Sequence, residues 1–205
     1  MIPIENAVKK AGLELVSQGV RLSDFGADWL HNSPLLEDCS PGEADVMGSV
    51  MLVVRAQPGQ VLVTEGDVGD WMMLVLRGTV DVTRRTFVRA GSDADLSATA
   101  ASGEVTRLAV IRAGAAAGEM SMLDGEPRYA TCSAIEVVEA GLLTRKAIAT
   151  LIHEHPSVGA KLLVKLTQLL AQRLRNTSNQ LVKALEKAQP DRRGGRRAGD
   201  IDSVA

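Results

Sequence analysis

The run Gly118-Glu119-Met120-Ser121-Met122-Leu123-Asp124-Gly125-Glu126-Pro127-Arg128-Tyr129-Ala130-Thr131 holds residues whose types and order could grip a ligand. A glycine lets the main chain approach a bound group closely. The carboxylate of Glu119, next in line, can accept hydrogen bonds from hydroxyls. The residues that follow can form one helical turn, whose first N–H groups lack internal partners and carry partial positive charge, so they favour an anion. Gly125 ends that turn, Pro127 stiffens its exit, and Arg128 offers a planar donor fork that matches phosphate. A carboxylate at one end and a guanidinium at the other suit a compact ribose phosphate. The competing reading is a salt bridge between Glu119 and Arg128 that only pins the turn.

Other reactive residue types point nowhere comparable. His153 and His155 flank a helix break and His31 is remote, so without a third ligand in range they read as surface histidines and no metal is expected. Met120 and Met122 read as packing residues of the core or its turn, not as soft-metal ligands. Cys39 and Cys132 stand far apart and outside any CxxC pattern, which predicts two reduced, partly buried thiols. There is no GxSxG, Walker A or HExxH motif and no arranged Cys–His or Ser–His pair, so the chain does not read as an enzyme.

The cassette needs a scaffold, and the pattern around it supplies one. Leu13, Val16 and Val20 recur at helical spacing near the N-terminus, and Ser40-Pro41-Gly42-Glu43 reads as a cap, a first-turn proline and a short helix. From Val50 the character changes. Val50 to Val54, Val61 to Thr64, Trp71 to Leu76, Val80 to Val82 and Leu108 to Ile111 are short apolar or β-branched runs. Pro58-Gly59, Glu65-Gly66-Asp67, Gly78 and Arg112-Ala113-Gly114 bound them as turns. Many short strands predict an antiparallel barrel or jelly roll, mainly β with flanking α. Between Val88 and Val105 the run AGSDADLSATAASG is small and polar, a mobile hairpin loop. Thr144 to Ile152 then reads as one helix, His155-Pro156 breaks it, and a long helix runs from about Ser157 to Ala188. Its leucines Leu163, Leu166, Leu170, Leu174, Leu181 and Leu185 form one stripe, for which a second copy of the helix is the simplest partner.

The composition agrees with a globular chain. At 205 residues, 45% hydrophobic and 23% charged, one principal domain plus helical extensions is expected. The net charge of −2 gives no overall attraction to nucleic acid or anionic membrane. No apolar run reaches bilayer length, and MIPIENAVKKAGLELV does not read as a secretory signal, so a cytoplasmic location is expected, without membrane insertion.

GEMSMLDGEPRYAT resembles the phosphate-binding cassette of the cyclic-nucleotide-binding domain family, and the upstream run PGQVLVTEGDVGDWMMLVLRGTVDV is similar to that family's series of turns and strands. The resemblance covers roughly Leu35 to Val182 and is nearest to a catabolite activator protein-like sensor domain that stands alone. It implies a β-roll or jelly-roll fold with N-terminal helices and a long C-terminal helix. It implies that Gly118 and Glu119 bind the ribose 2′-hydroxyl, and that Arg128 pairs with the cyclic phosphate. The turn N–H groups at Met120 and Ser121 and those of Tyr129 and Ala130 assist. Thr177 and Ser178 on the long helix are implied as adenine contacts, with solvated helix positions as their alternative. Tyr129 departs from the family's usual Ala, Ser or Thr, and Ala116-Ala117 from its usual bulky residue, which predicts a looser core beside the cassette.

The expected organisation is a helical extension over 1–34, the cyclic-nucleotide-binding roll over 35–156, a lid and dimerisation helix over 157–188, and a disordered basic tail over 189–205. The expected function is a cAMP (or cGMP) sensor that signals by moving its C-terminal helix toward an unidentified protein effector, as a homodimer. The short tail after Ala188, with Arg192, Arg193, Arg196 and Arg197, is too small for a winged helix, so no sequence-specific DNA binding is expected. The rival expectation is a degenerate fold that dimerises or docks without ligand, for which Tyr129 is the supporting residue.

Overall fold

The computed structural model describes residues 4–86 and 104–188. The polar run from Ala90 to Gly103, read as a mobile loop, and the arginine-rich segment after Ala188, read as a disordered tail, lie outside the described residues. The chain divides into two units, Met1–Thr167 and Gln168–Ala205.

The first unit begins with α1 (Ile4–Lys10), and Gly12, at φ 67°, turns the chain into β1 (Glu14–Gln18). Here the helical spacing of Leu13, Val16 and Val20 misleads. Glu14–Gln18 is a strand, antiparallel to β2 (Leu52–Ala56). Three apolar positions cannot report an edge strand whose ladder partner lies far along the chain. A 3₁₀ turn (Leu22–Phe25) and α2 (Ala27–Asn32) lead to α3 (Pro41–Ser49). α3 starts as its sequence predicts: Ser40 Oγ accepts from the Glu43 N–H at 3.3 Å, Glu43 accepts from the Ser40 N–H at 2.8 Å, and Pro41 opens the helix.

Seven further strands follow: β3 (Val61–Val63), β4 (Trp71–Arg77), β5 (Thr79–Thr86), β6 (Glu104–Arg112), β7 (Ala116–Ala117), β8 (Thr131–Ala134) and β9 (Val138–Thr144). They form a five-stranded sheet in the order β1-β2-β9-β4-β7 and a four-stranded sheet in the order β3-β8-β5-β6, with every pair antiparallel. Val54, Trp71, Met73, Val75, Val80, Cys132, Ala140 and Leu142 fill the space between them, joined by Val8 and Leu13 from the N-terminal extension. This is the antiparallel roll that the strand pattern predicts.

β9 was hidden in the sequence, although it runs up the middle of the larger sheet between β2 and β4. Its run VEAGLLT is interrupted by Gly141, and packing explains the glycine: a Cβ there would stand 2.7 Å from Met51 Sδ. β7 pairs with β4, and both of its alanines are buried. Cys39 and Cys132 are both buried. Among the described residues no helix is long and apolar enough to cross a membrane.

After β9, Thr144 caps α5 (Arg145–Glu154) by accepting from the Ala147 N–H at 3.0 Å, and His155 and Pro156 mark the passage to α6 (Pro156–Ala188). The expected leucine stripe needs correction at its start. Within the first unit α6 buries Val158, Leu162 and Leu166, while Leu163 is exposed. The buried face thus runs at spacings of four from Val158; it keeps Leu166 of the predicted stripe and takes Leu162 in place of Leu163. Lys161 Nζ lies 2.7 Å from Glu43, and Lys165, with its side chain buried, pairs with Glu37 at 2.7 Å and with Asp38. These pairs tie the start of α6 to α3 and the segment before it. In the second unit Leu174, Leu181 and Leu185 are exposed.

Candidate functional site

The cassette forms as its residue types require. Gly118 takes the left-handed φ of 84°, α4 (Glu119–Asp124) follows, and Gly125 closes it at φ 80° with its N–H on the Ser121 carbonyl at 3.0 Å. The first i→i−4 bond runs from the Met122 N–H to the Gly118 carbonyl at 3.3 Å, so the N–H groups of Met120 and Ser121 precede it. Ser121 and Met122 are buried, whereas Met120 is exposed. The packing role expected of both methionines therefore holds for Met122 alone.

Glu119 is wholly buried, and Arg128 is 4% exposed. Burying a guanidinium requires acceptors, and main-chain carbonyls supply them: Arg128 Nη1 donates to Gly118 O at 2.7 Å and Nη2 to Trp71 O at 2.6 Å. The same group lies over the Trp71 indole, 4.5 Å from the ring centroid. Burial pulls the Arg128 pKa below its ordinary value, opposed by the charges of Asp70, Glu119 and Asp67 among others. It remains a cation, because a guanidinium starts so far above neutrality.

Two glycines make room for this seat. A Cβ on Gly69 would stand 2.7 Å from Arg128 Nη2, and one on Gly118 would stand 2.7 Å from Nη1. The Arg128 main chain is fixed as well, its N–H on the Asp67 carbonyl at 2.8 Å and its own carbonyl receiving the Gly66 N–H at 2.9 Å. The Glu65-Gly66-Asp67 turn read from the sequence thus holds the arginine from behind. Sequence reasoning missed Trp71, Gly69 and Arg145. Arg145 donates through Nε to the Met122 carbonyl at 2.7 Å and also through Nη2, capping α4 from the first residue of α5. No local motif announces such a cap.

Tyr129 is 52% exposed, and its ring lies beneath the Arg84 guanidinium of β5, 3.8 Å from Cζ to the centroid. Ala130 is half-buried, and Thr131 Oγ1 accepts from the Glu65 N–H at 3.0 Å. Thr177 and Ser178 are exposed positions of α6 in the second unit. A cavity of about 760 Å³ meets Arg128 from the side of the Gly66 to Trp71 loop, floored by Val8, Leu62 and Leu142; Glu119 and Tyr129 are not in its lining. Among the described residues no group of three or more His, Cys, Asp or Glu side chains is placed to hold a metal ion.

Comparison with known proteins meets this geometry. Residues 53–155 match the model of the family described as "Cyclic nucleotide-binding domain". A solved cyclic nucleotide-binding domain from Methylobacillus flagellatus is 31% identical with a TM-score of 0.66, over 83% of this chain and 89% of that one. The cyclic AMP receptor protein of Thermus thermophilus is 30% identical over 74% of this chain and 62% of its own length. A CRP-like cAMP-activated global transcriptional regulator of Mycobacterium tuberculosis is 28% identical over 65% of this chain and 52% of its own length. The chain spans roughly half to three fifths of these two curated relatives.

Proposed function

Because the chain belongs to the cyclic nucleotide-binding domain family, we propose that it is a regulatory sensor whose cassette holds a cyclic nucleotide, cAMP in the first place and cGMP as the alternative. Gly118 and Glu119 take the ribose hydroxyl. Arg128, with the N–H groups of Met120, Ser121, Tyr129 and Ala130, takes the phosphate, and Thr177 and Ser178 take the base. The names of the relatives from Thermus thermophilus and Mycobacterium tuberculosis support cAMP.

The observation that carries this reading is the Arg128 seat. A buried guanidinium anchored on the Gly118 and Trp71 carbonyls is a preorganised cation beside the cassette turn. The exposed ring of Tyr129 favours the sensor over a ligand-free scaffold, since the phenol does not occupy the guanidinium's place. The bound nucleotide shifts the population of α6 positions and so changes the surface offered to a protein effector, with a homodimer formed through the exposed leucines. The sensor acts in the cytoplasm, without catalysis, metal or sequence-specific DNA contact.

Calorimetry against cAMP, cGMP and cyclic dinucleotides tests this. Micromolar or tighter cAMP binding that Arg128→Leu abolishes, with the fold intact, is the expected result. Equal affinity in wild type and variant, or no binding by the wild type, refutes it.

A further inference from the structure

We propose that Arg84, seated on the ring of Tyr129, is a second guanidinium of the nucleotide site, reading a phosphate oxygen that Arg128 does not. This rests on the sensor reading above. Three observations lead to it.

The first is the face of the strand. Side chains alternate along a strand, and on β5 Val80 lies in the core between the sheets with Val82 packed against it. The register to β8 is regular here, with Val80 opposite Ala134 and Val82 opposite Cys132. The irregularity against β6 pairs Val82 with Ala109 and Thr83 with Arg107, so the extra residue is on β6 and the alternation of β5 continues. Arg84 is therefore the next residue on the inner face, where the apolar lining ends.

The second is the stack. Thr83 lies opposite Thr131, which carries the cassette exit alongside the end of β5. The Arg84 guanidinium covers the Tyr129 ring at 3.8 Å. A cation held at that distance over an aromatic face is attracted by the ring quadrupole. Stacking occupies the face of a guanidinium and leaves its in-plane edge to hydrogen-bond acceptors. Tyr129 thus holds a positive charge within one side chain of its own N–H, which the sensor reading assigns to the phosphate.

The third is the counter-charge. Glu65 Oε1 lies 3.7 Å from Arg84 Nε, and the other oxygen accepts from the Arg85 N–H at 2.9 Å. The Glu65 N–H is in turn bonded to Thr131. The acid is tied to both β5 and the cassette exit, so it orients Arg84 through one long contact and leaves most of the five donors of the fork to other acceptors.

A cyclic phosphate has two exocyclic oxygens, and replacing either with sulfur gives two diastereomers of a phosphorothioate. With Arg128 on one oxygen and Arg84 on the other, Arg84→Gln lowers cAMP affinity about tenfold, the effect of one charge-assisted hydrogen bond. It also shifts the ratio of affinities for the two diastereomers several-fold. Arg84→Lys, which keeps charge without the planar fork, recovers part of the affinity but not the ratio. Tyr129→Ala, which removes the seat, weakens cAMP binding similarly, and the double variant loses less than the two single effects combined. Melting temperatures within a few degrees of wild type confirm that each variant folds, since the Arg84 and Tyr129 side chains are both partly exposed. Wild-type affinity and an unchanged ratio in Arg84→Gln, with Arg128→Leu still abolishing binding, overturn the role of Arg84 and leave the sensor standing. Failure of the wild type to bind cAMP, cGMP or either phosphorothioate overturns both.

Discussion

Gly69→Ala moves Arg128 without replacing it. Gly69 does not use a left-handed φ, so alanine fits the backbone there, and the added Cβ meets Arg128 Nη2 at 2.7 Å and Trp71 Nε1 at 3.2 Å. Ordinary non-bonded contact lies at roughly 3.5–4.0 Å, so the fork must retreat by roughly 1 Å. That is enough to break the 2.6 Å bond from Nη2 to the Trp71 carbonyl. A hydrogen bond to a charged group contributes about 1.5–3 kcal/mol. For a domain of this size the loss lowers the melting temperature by roughly 3–12 °C. The fold persists, because the clash falls on the tip of a flexible side chain.

Binding suffers more than stability, since a charge displaced by roughly 1 Å no longer matches a preorganised site. cAMP affinity by calorimetry should fall about tenfold or more, with the loss confined to ligands that carry the phosphate. Affinity within about twofold of wild type, well below the effect of one charge-assisted hydrogen bond, would show that the seat is dispensable and refute the reasoning. Loss of the folding transition would refute it from the other side, because backbone, not the arginine tip, would then be absorbing the clash.

Three further outcomes follow from the geometry. Glu43 is held near a pKa of about 2, against 4.5 for the free group, by its hydrogen bonds with Lys161 and Ser40. A depressed carboxyl pKa adds stability that is complete above the ordinary value and lost as pH falls toward the folded one. Melting curves of wild type and Glu43→Gln should therefore converge between pH 5 and pH 2, and parallel curves would remove Glu43 from the acid response. Arg145→Ala strips the Met122 carbonyl of its donors and should raise amide exchange across α4 while lowering the melting temperature by several degrees. Unaltered exchange would mean α4 does not need the cap. Leu174→Asn with Leu181→Asn places polar groups on the exposed stripe of the second unit. Sedimentation should show a dimer for wild type and a monomer for the double variant, and two monomers would sink the dimer proposal.

The parts of this fold that were legible in the sequence are those with local causes. Ser40, Pro41 and Glu43 announce the start of α3 because a capping box closes within a few residues. Gly118 and Gly125 announce the two ends of α4 because both take left-handed φ values, at 84° and 80°. What stayed illegible depends on partners far along the chain. β1 exists through its ladder with β2, and β9 through ladders on both sides. The stripe of α6 was misplaced at Leu163 because the buried face is chosen by what the helix packs on, which Leu162 shows and periodicity does not. The same holds at the site. Glu119 and Arg128 are readable as chemistry, but Trp71 and Gly69 enter only because the chain folds a remote loop against the guanidinium.

That loop gives the site a route to the helices within the first unit. Arg128 is bonded through its main chain to Asp67, midway along the stretch that joins β3 to β4, and through its side chain to Trp71, where that stretch ends and β4 begins. In that stretch the Asp70 carbonyl receives the Arg145 N–H at 2.7 Å, at the first turn of α5. The Arg145 side chain returns to the Met122 carbonyl of α4. Cassette, loop and α5 thus form a closed ring of hydrogen bonds, and α5 passes directly into α6 at Pro156. In such a ring α4 cannot shift toward a bound phosphate without moving the Arg145 fork or breaking its bonds. Coupling of this kind requires packed elements with discrete arrangements more than it requires flexibility. The lysine pairs of α6 with Glu37 and Glu43 are the contacts that such a movement must strain next.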